Sequence, residues 1–199
     1  MALARGRLLG YQSYAKREAA VSIKFHIGKV PGTDKYFSKT YMGKHLKEDM
    51  FLAIHGTEEA RISGYKIPLW SEAAIKQHND SGSEKDLRIE HAYPRNLLVE
   101  TMLKKRDTIT VEEIEELLDV YLHGIVVTLD EDLNLLGKEL RSNLPKDYLP
   151  NDIDIYSPEY VYARYTYKKI NVKWARPEKV GKKSILVAYA DFIKDGKII

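Results

Sequence analysis

The segment Arg88-Ile89-Glu90-His91-Ala92-Tyr93-Pro94 sets a carboxylate and an imidazole side by side at the end of an apolar step, with a proline three places on. A carboxylate can hold a divalent metal while an adjacent imidazole takes a proton from a water beside it. The pair therefore suits metal-assisted hydrolysis, with His91 as general base and Glu90 as a metal ligand. Pro94 fits the first turn of a helix, where a missing N–H removes no hydrogen bond. Glu90 and His91 would then stand where a strand gives way to a helix. So short a pattern has an inert alternative, a solvent-facing strand end followed by a Pro-led helix.

One carboxylate does not make a metal site, so a second oxygen donor has to come from another element. Gly124-Ile-Val-Val-Thr128 reads as a short apolar strand, and Thr128 with Glu131 has capping-box spacing. The helix this opens is expected to stop at Gly137. Glu131, Asp132 and Asn134 lie near its start. At α-helical spacing Glu131 and Asn134 share a face and Asp132 points elsewhere. Because Glu131 is also the capping partner, Asn134 is the preferred second ligand and Glu131 the reserve.

The elements that must position these residues are read from periodicity. Val21–Val30 alternates apolar and polar residues as a half-buried strand does, and Pro31-Gly32-Thr33-Asp34 turns the chain. Arg61–Trp70 reads as another strand, with Ser71 capping a short helix through about His78 and a polar loop over 79–86. After Pro94, Leu97, Leu98, Thr101, Met102 and Lys105 recur at helical spacing. Thr110 and Glu113 form a capping box ahead of Ile114, Leu117, Leu118 and Tyr121. Tyr160–Tyr167 and Ser184–Ile193 read as strands, the first rich in tyrosine. The expected class is α+β in three parts: a β-rich N-terminal region (1–85) open to DNA binding, a site-bearing core (86–145), and a basic, tyrosine-rich C-terminal β region (146–199).

The net charge of +3 conceals a segregation. Residues 107–160 carry 3 Lys/Arg against 14 Asp/Glu, whereas residues 161–199 carry 10 against 3, and residues 1–106 supply a further +7. Basic arms around an acidic centre suit a protein that grips phosphates at its edges and a metal in the middle. Opposite-signed segments that simply pack on one another would give the same pattern. Arg95, Arg141 and Arg164 present paired donors suited to phosphate, and Lys168, Lys169 and Lys173 are the arm positions expected to meet a nucleic-acid backbone. For any single arginine, a surface ion pair with the acidic centre is the competing assignment.

At this point the residues resemble a family. Glu90-His91-Ala-Tyr-Pro94 followed by an aliphatic helix resembles the Asp/Glu-His-x-x-Pro start of HNH (His-Me finger) endonucleases. Ile125-Val-Val-Thr128 and the following Asp130-Glu-Asp-Leu-Asn134 resemble their second strand and metal-binding helix. Leu140-Arg-Ser-Asn-Leu-Pro145 and Ala163-Arg164-Tyr165 are similar in outline to small proteins of this kind from phages and mobile elements. The resemblance covers roughly residues 87–145. It implies a ββα-metal core with a helical insertion, flanked by β-rich parts. It further implies phosphodiester hydrolysis of DNA with one Mg²⁺ or Mn²⁺, bound by Glu90 and Asn134, and His91 activating water. This chain departs from the pattern in having Glu for the commoner Asp at position 90 and a long helical insertion. It also has no histidine after Asn134.

Composition removes other classes. Zero cysteines exclude disulfides and thiolate zinc sites. No apolar run approaches a membrane span, and the first apolar run is too short for a signal peptide, so a cytoplasmic protein without a membrane partner is expected. No Gly-x-Ser-x-Gly, Gly-Lys-Ser/Thr or Gly-x-Gly-x-x-Gly motif is present. A DNA endonuclease of restriction, phage or mobile-element type is the leading expectation. One site per chain would favour a homodimer for cutting both strands. A non-catalytic nucleic-acid-binding protein and a regulator whose acidic centre docks on a basic partner are the alternatives.

Overall fold

Lys16, Ala19, Ala20, Ile23 and Ile27 are all buried and recur at three- and four-residue steps, the stripe of a helix, while Val21 and Phe25 stay exposed. The computed structural model, which describes residues 5–55, 67–148, 158–181 and 183–199, accordingly places Arg5–Ile27 in a helix. The strand expected over 21–30 is therefore wrong up to Ile27. The alternation of residues 21–27 was local, and the stripe that decides burial already includes Lys16, Ala19 and Ala20 before it.

In chain order the elements are α1 (Arg5–Ile27), α2 (Lys39–His55), β1 (Leu69–Ser71), α3 (Glu72–Ser81), β2 (Leu87–His91), α4 (Arg95–Lys104), α5 (Val111–Tyr121), β3 (Gly124–Thr128), a π-helical turn (Glu131–Leu136), α6 (Gly137–Arg141), a 3₁₀ turn (Lys146–Tyr148), α7 (Pro158–Val161), α8 (Ala163–Tyr167), β4 (Val172–Val180), β5 (Lys183–Lys194) and β6 (Lys197–Ile198). The protein is mixed α+β. No helix among the described residues is long and apolar enough to cross a membrane.

Two compact units emerge. The first comprises residues 1–59 and 95–122, so the helical insertion belongs with the N-terminal helices. Here α1 packs on α2 and on α5, whose Ile114, Leu117, Leu118 and Tyr121 are buried. Lys16 reaches Asp119 at 2.8 Å, and Arg17 forks onto Glu112 and Glu115 at 2.9 Å each. Part of the charge segregation is thus opposite-signed helices packing together. The expected β-rich N-terminal region is instead helical over most of its described residues, and most of the strand expected over 61–70 lies outside them, only Leu69–Ser71 being β.

The second unit comprises residues 60–94 and 123–199. Its six-stranded sheet has the order β2-β3-β1-β4-β5-β6, antiparallel throughout except for β1 against β3. Ile125, Val126 and Val127 of β3 are all buried, so both faces of the sheet are covered at this strand. Ser71 caps α3 by accepting from the Ala74 N–H at 3.0 Å, as its position before the helix foretold. The strand expected over Tyr160–Tyr167 is two short helices, with Pro158 opening the first. Tyr160 through Thr166 are buried without a break, not alternately as in a half-buried strand.

Candidate functional site

The antiparallel pairing of β2 with β3 sets His91 opposite Gly124, Glu90 opposite Ile125 and Leu87 opposite Thr128. The helical segment after Thr128 therefore starts at the far end of the hairpin from His91, roughly 13 Å away at about 3.3 Å per residue. It approaches the Glu90–His91 end only by running back along the hairpin.

Arg164 shows that it does so. This side chain is fully buried, with Nε donating to the Ala92 carbonyl at 3.3 Å, Nη1 to the Leu140 carbonyl at 2.9 Å and Nη2 to the His91 carbonyl. One guanidinium thus fastens the end of β2 to the last turn of α6, and its Nη2 lies 3.6 Å from the Glu90 carboxylate. Arg164 is a positioning residue of the second unit rather than a surface clamp for phosphate. The His91 ring is half-buried, with Nε2 closed to solvent.

The two expected partners of Glu90 do not join it. Glu131 Oε2 accepts from the Ser71 hydroxyl at 2.6 Å, from the Thr128 N–H at 2.9 Å and from the Thr128 hydroxyl at 3.2 Å. The Thr128 hydroxyl in turn accepts from the Glu131 N–H at 3.1 Å, completing the expected capping box. Glu131 ties the end of β1 to the end of β3 and is occupied there. Asn134 is exposed and donates to Asp130 at 2.5 Å. Asp132, expected to point away, is the residue turned inward: it is buried, and Arg141 Nη2 donates to both of its oxygens at 3.2 Å. Over the π-helical turn 131–136 Glu131, Asp132 and Leu136 are buried, so Glu131 shares the inward side with Asp132 and not with the exposed Asn134. Gly137, at φ +55°, ends that turn but does not stop the segment, because α6 follows at once.

Glu90, Asp132, Arg141 and Arg164 form one electrostatic group. Burial pushes the Glu90 carboxyl above the ordinary glutamate range, Arg164 pulls it back, the Asp132 charge raises it again and Arg141 lowers it. Tyr165 lies within the influence of Glu90, Glu131 and Asp132. Its hydroxyl is entirely buried without a hydrogen-bond partner among the described residues, and burial pushes its pKa well up. Among the described residues no three His, Asp or Glu side chains converge closely enough to hold a metal. Around Glu90 the structure gathers Asp132, Arg141 and Arg164 rather than the expected Asn134 or, failing that, Glu131.

The expected nucleic-acid contacts scatter. Arg141 belongs to the group just described and is half exposed. Lys173 is held between Glu72 and Asp191, at 3.2 Å from each, and the Glu72 partnership keeps its pKa above the ordinary lysine value. Lys168 sits by the Tyr167 ring, and Lys169, exposed, takes a left-handed φ of 53° in the turn before β4. Arg95 begins α4, in the other unit. The buried role of Arg164 had one trace in sequence, a lone cation within an almost wholly aromatic and aliphatic run. The inward turn of Asp132 had none. Comparison with protein-family models, curated proteins and solved structures found no match.

Proposed function

We propose that the chain is a metal-dependent DNA endonuclease of restriction, phage or mobile-element type, hydrolysing phosphodiester bonds from the Glu90–His91 end of β2. The observation that carries this reading is the return of the post-β3 helical segment along the hairpin, which puts the Asp132 charge within influence of Glu90 beside His91. A partly buried carboxylate whose proton affinity is raised by burial and by a second carboxylate is a place where a cation is welcome. Mg²⁺ commonly takes one or two carboxylates and fills its remaining positions with water and phosphate oxygens, so two carboxylates are enough in kind. Mg²⁺ or Mn²⁺ held by Glu90 and Asp132 would supply charge stabilisation for the leaving 3′-oxygen. His91 takes the proton of the attacking water. Arg164 fixes the His91 backbone while that happens, and Arg141, half exposed, can leave Asp132 for a substrate phosphate.

The test is plasmid cleavage by purified protein with Mg²⁺ or Mn²⁺, with and without chelator, and with His91→Ala. Loss of general-base assistance should lower the rate by ~10²–10⁴-fold while DNA binding persists. Cleavage by a folded His91→Ala chain at the native rate removes His91 from the mechanism. One observation favours a second reading, a non-catalytic nucleic-acid-binding protein: the two guanidiniums already balance the two carboxylates. Binding without cleavage at any metal concentration would select it.

A further inference from the structure

The β4–β5 hairpin outgrows the sheet that carries it. β1 pairs only with Val172–Trp174 of β4, and β6 pairs only with Ile193 and Lys194 of β5. Ala175 makes the last link on the β4 side, its N–H donating to the Pro68 carbonyl at 2.9 Å. Beyond it, Arg176 to Val180 and Lys183 to Val187 form a two-stranded ribbon paired to itself, with Gly181 at φ +64° in its turn.

Neither edge of this ribbon is open to a further strand at its middle. Pro177 has no N–H to offer on the β4 edge. On the opposite edge, at the residue paired with Pro177, Asn79 of α3 donates to the Leu186 carbonyl and accepts from the Leu186 N–H, both at 2.8 Å. Leu186 is buried, and α3 packs on β5. The opposite face, with Arg176, Glu178 and Val180 from β4 and Ile185 and Val187 from β5, is half exposed or exposed. Tyr189 is 54% exposed, and its ring centroid lies 5.7 Å from the Arg176 guanidinium.

Charge decides the occupant. Residues 175–190 carry four Lys/Arg against one Asp/Glu. That one acid, Glu178, accepts from Arg176 at 2.9 and 3.0 Å on an exposed surface, an ion pair of little worth that a phosphate can replace. Lys173 at the ribbon's foot is already committed to Glu72 and Asp191, so it is not counted among the ribbon's phosphate contacts.

We infer that the β4–β5 ribbon is a duplex-DNA-binding element, with Arg176, Lys179 and Lys183 meeting backbone phosphates and the exposed Tyr189 face entering a groove. A two-stranded antiparallel ribbon fits the major groove of B-form DNA. The inference rests on the nuclease reading only for the choice of DNA as partner.

The experiment is fluorescence anisotropy of a short labelled DNA duplex with the full chain, titrated over a range of salt in EDTA so that no cleavage occurs. The combined Arg176→Gln, Lys179→Gln, Lys183→Gln chain should bind more weakly, and its slope of log affinity against log salt should be shallower by about 2.7, three charges at about 0.9 each. Lys173→Gln should leave that slope in place. An unchanged slope in the triple variant overturns the inference, and so does equal competition by single-stranded DNA of the same length. Tyr189→p-benzoylphenylalanine in the otherwise native chain gives a readout that does not depend on the triple variant folding. Photo-crosslinking to the duplex supports the ribbon, and its absence under conditions of full binding overturns it. A chain that binds through the ribbon and never cleaves ends the nuclease reading alone. A chain that cleaves with an unmoved salt slope ends the ribbon alone.

Discussion

Glu90 and Glu131 sit towards the two ends of one hairpin, and the fold treats them in opposite ways. Glu131 is buried among donors: two hydroxyls and one backbone N–H point at a single oxygen, and its charge is spent on joining β1, β3 and the start of the helical segment. Glu90 is half-buried near charge, with Arg164 at 3.6 Å and the Asp132 carboxylate adding repulsion. A carboxylate saturated by hydrogen bonds is a structural joint. One held by opposed electrostatic forces can change its proton or cation occupancy, which is what catalysis requires. The same distinction separates Thr128–Glu131 from Thr110–Glu113, where an identical capping box on an exposed helix start serves that helix alone.

The sharpest way to break the Glu90 side of this contrast is to remove its anchor. Arg164→Leu strips three carbonyls of their donor and leaves Glu90 without its nearest cation, so the second unit should lose about 3–5 kcal/mol. Urea denaturation measures it, and a loss below that of an ordinary core substitution would show that the network is not a fastening. On the other side, Glu131→Ala leaves buried donors without their acceptor and should cost about 3 kcal/mol, with Glu131→Gln recovering part of it. Thr110→Ala, at the exposed box, should cost only about 1 kcal/mol. Equal effects at the two boxes would erase the distinction between a joint and a cap.

The smallest effect is the most specific to Glu90. A carboxyl that holds its proton more tightly in the fold than in the unfolded chain favours the protonated native state. Stability attributable to it therefore declines as pH rises from the ordinary glutamate value of 4.5 through the raised folded value. Glu90→Gln is neutral throughout, so its unfolding free energy, relative to the native sequence, should improve as pH rises across that window. A relative stability that stays flat or moves the other way would place Glu90 with Glu131, as a satisfied structural carboxylate.

Legibility in the sequence followed the range of the interaction. Both capping boxes, the helix after Pro94, the α5 stripe and the Gly124–Thr128 strand were readable, because each depends on residues within a turn or a strand of one another. Tyr160–Tyr167 misled because burial on all sides erases periodicity, and Val21–Val30 because a short alternating window hid a longer helical stripe. The Glu90–His91 strand end was legible; its company was not.

What the sequence determined by itself is therefore local: where helices are capped, where β2 ends in an acid and an imidazole, and that basic residues gather toward the C-terminus. Tertiary structure alone decided which carboxylate adds its charge to the surroundings of Glu90. That choice depends on Asp132 being buried beside Arg141 and on Ser71, sixty positions away, claiming Glu131. It depends equally on Arg164, seventy-three residues beyond His91, fixing the strand end in place. Hydrogen bonds and charges act across space and are indifferent to separation along the chain, so their partners could be seen only once the chain was folded.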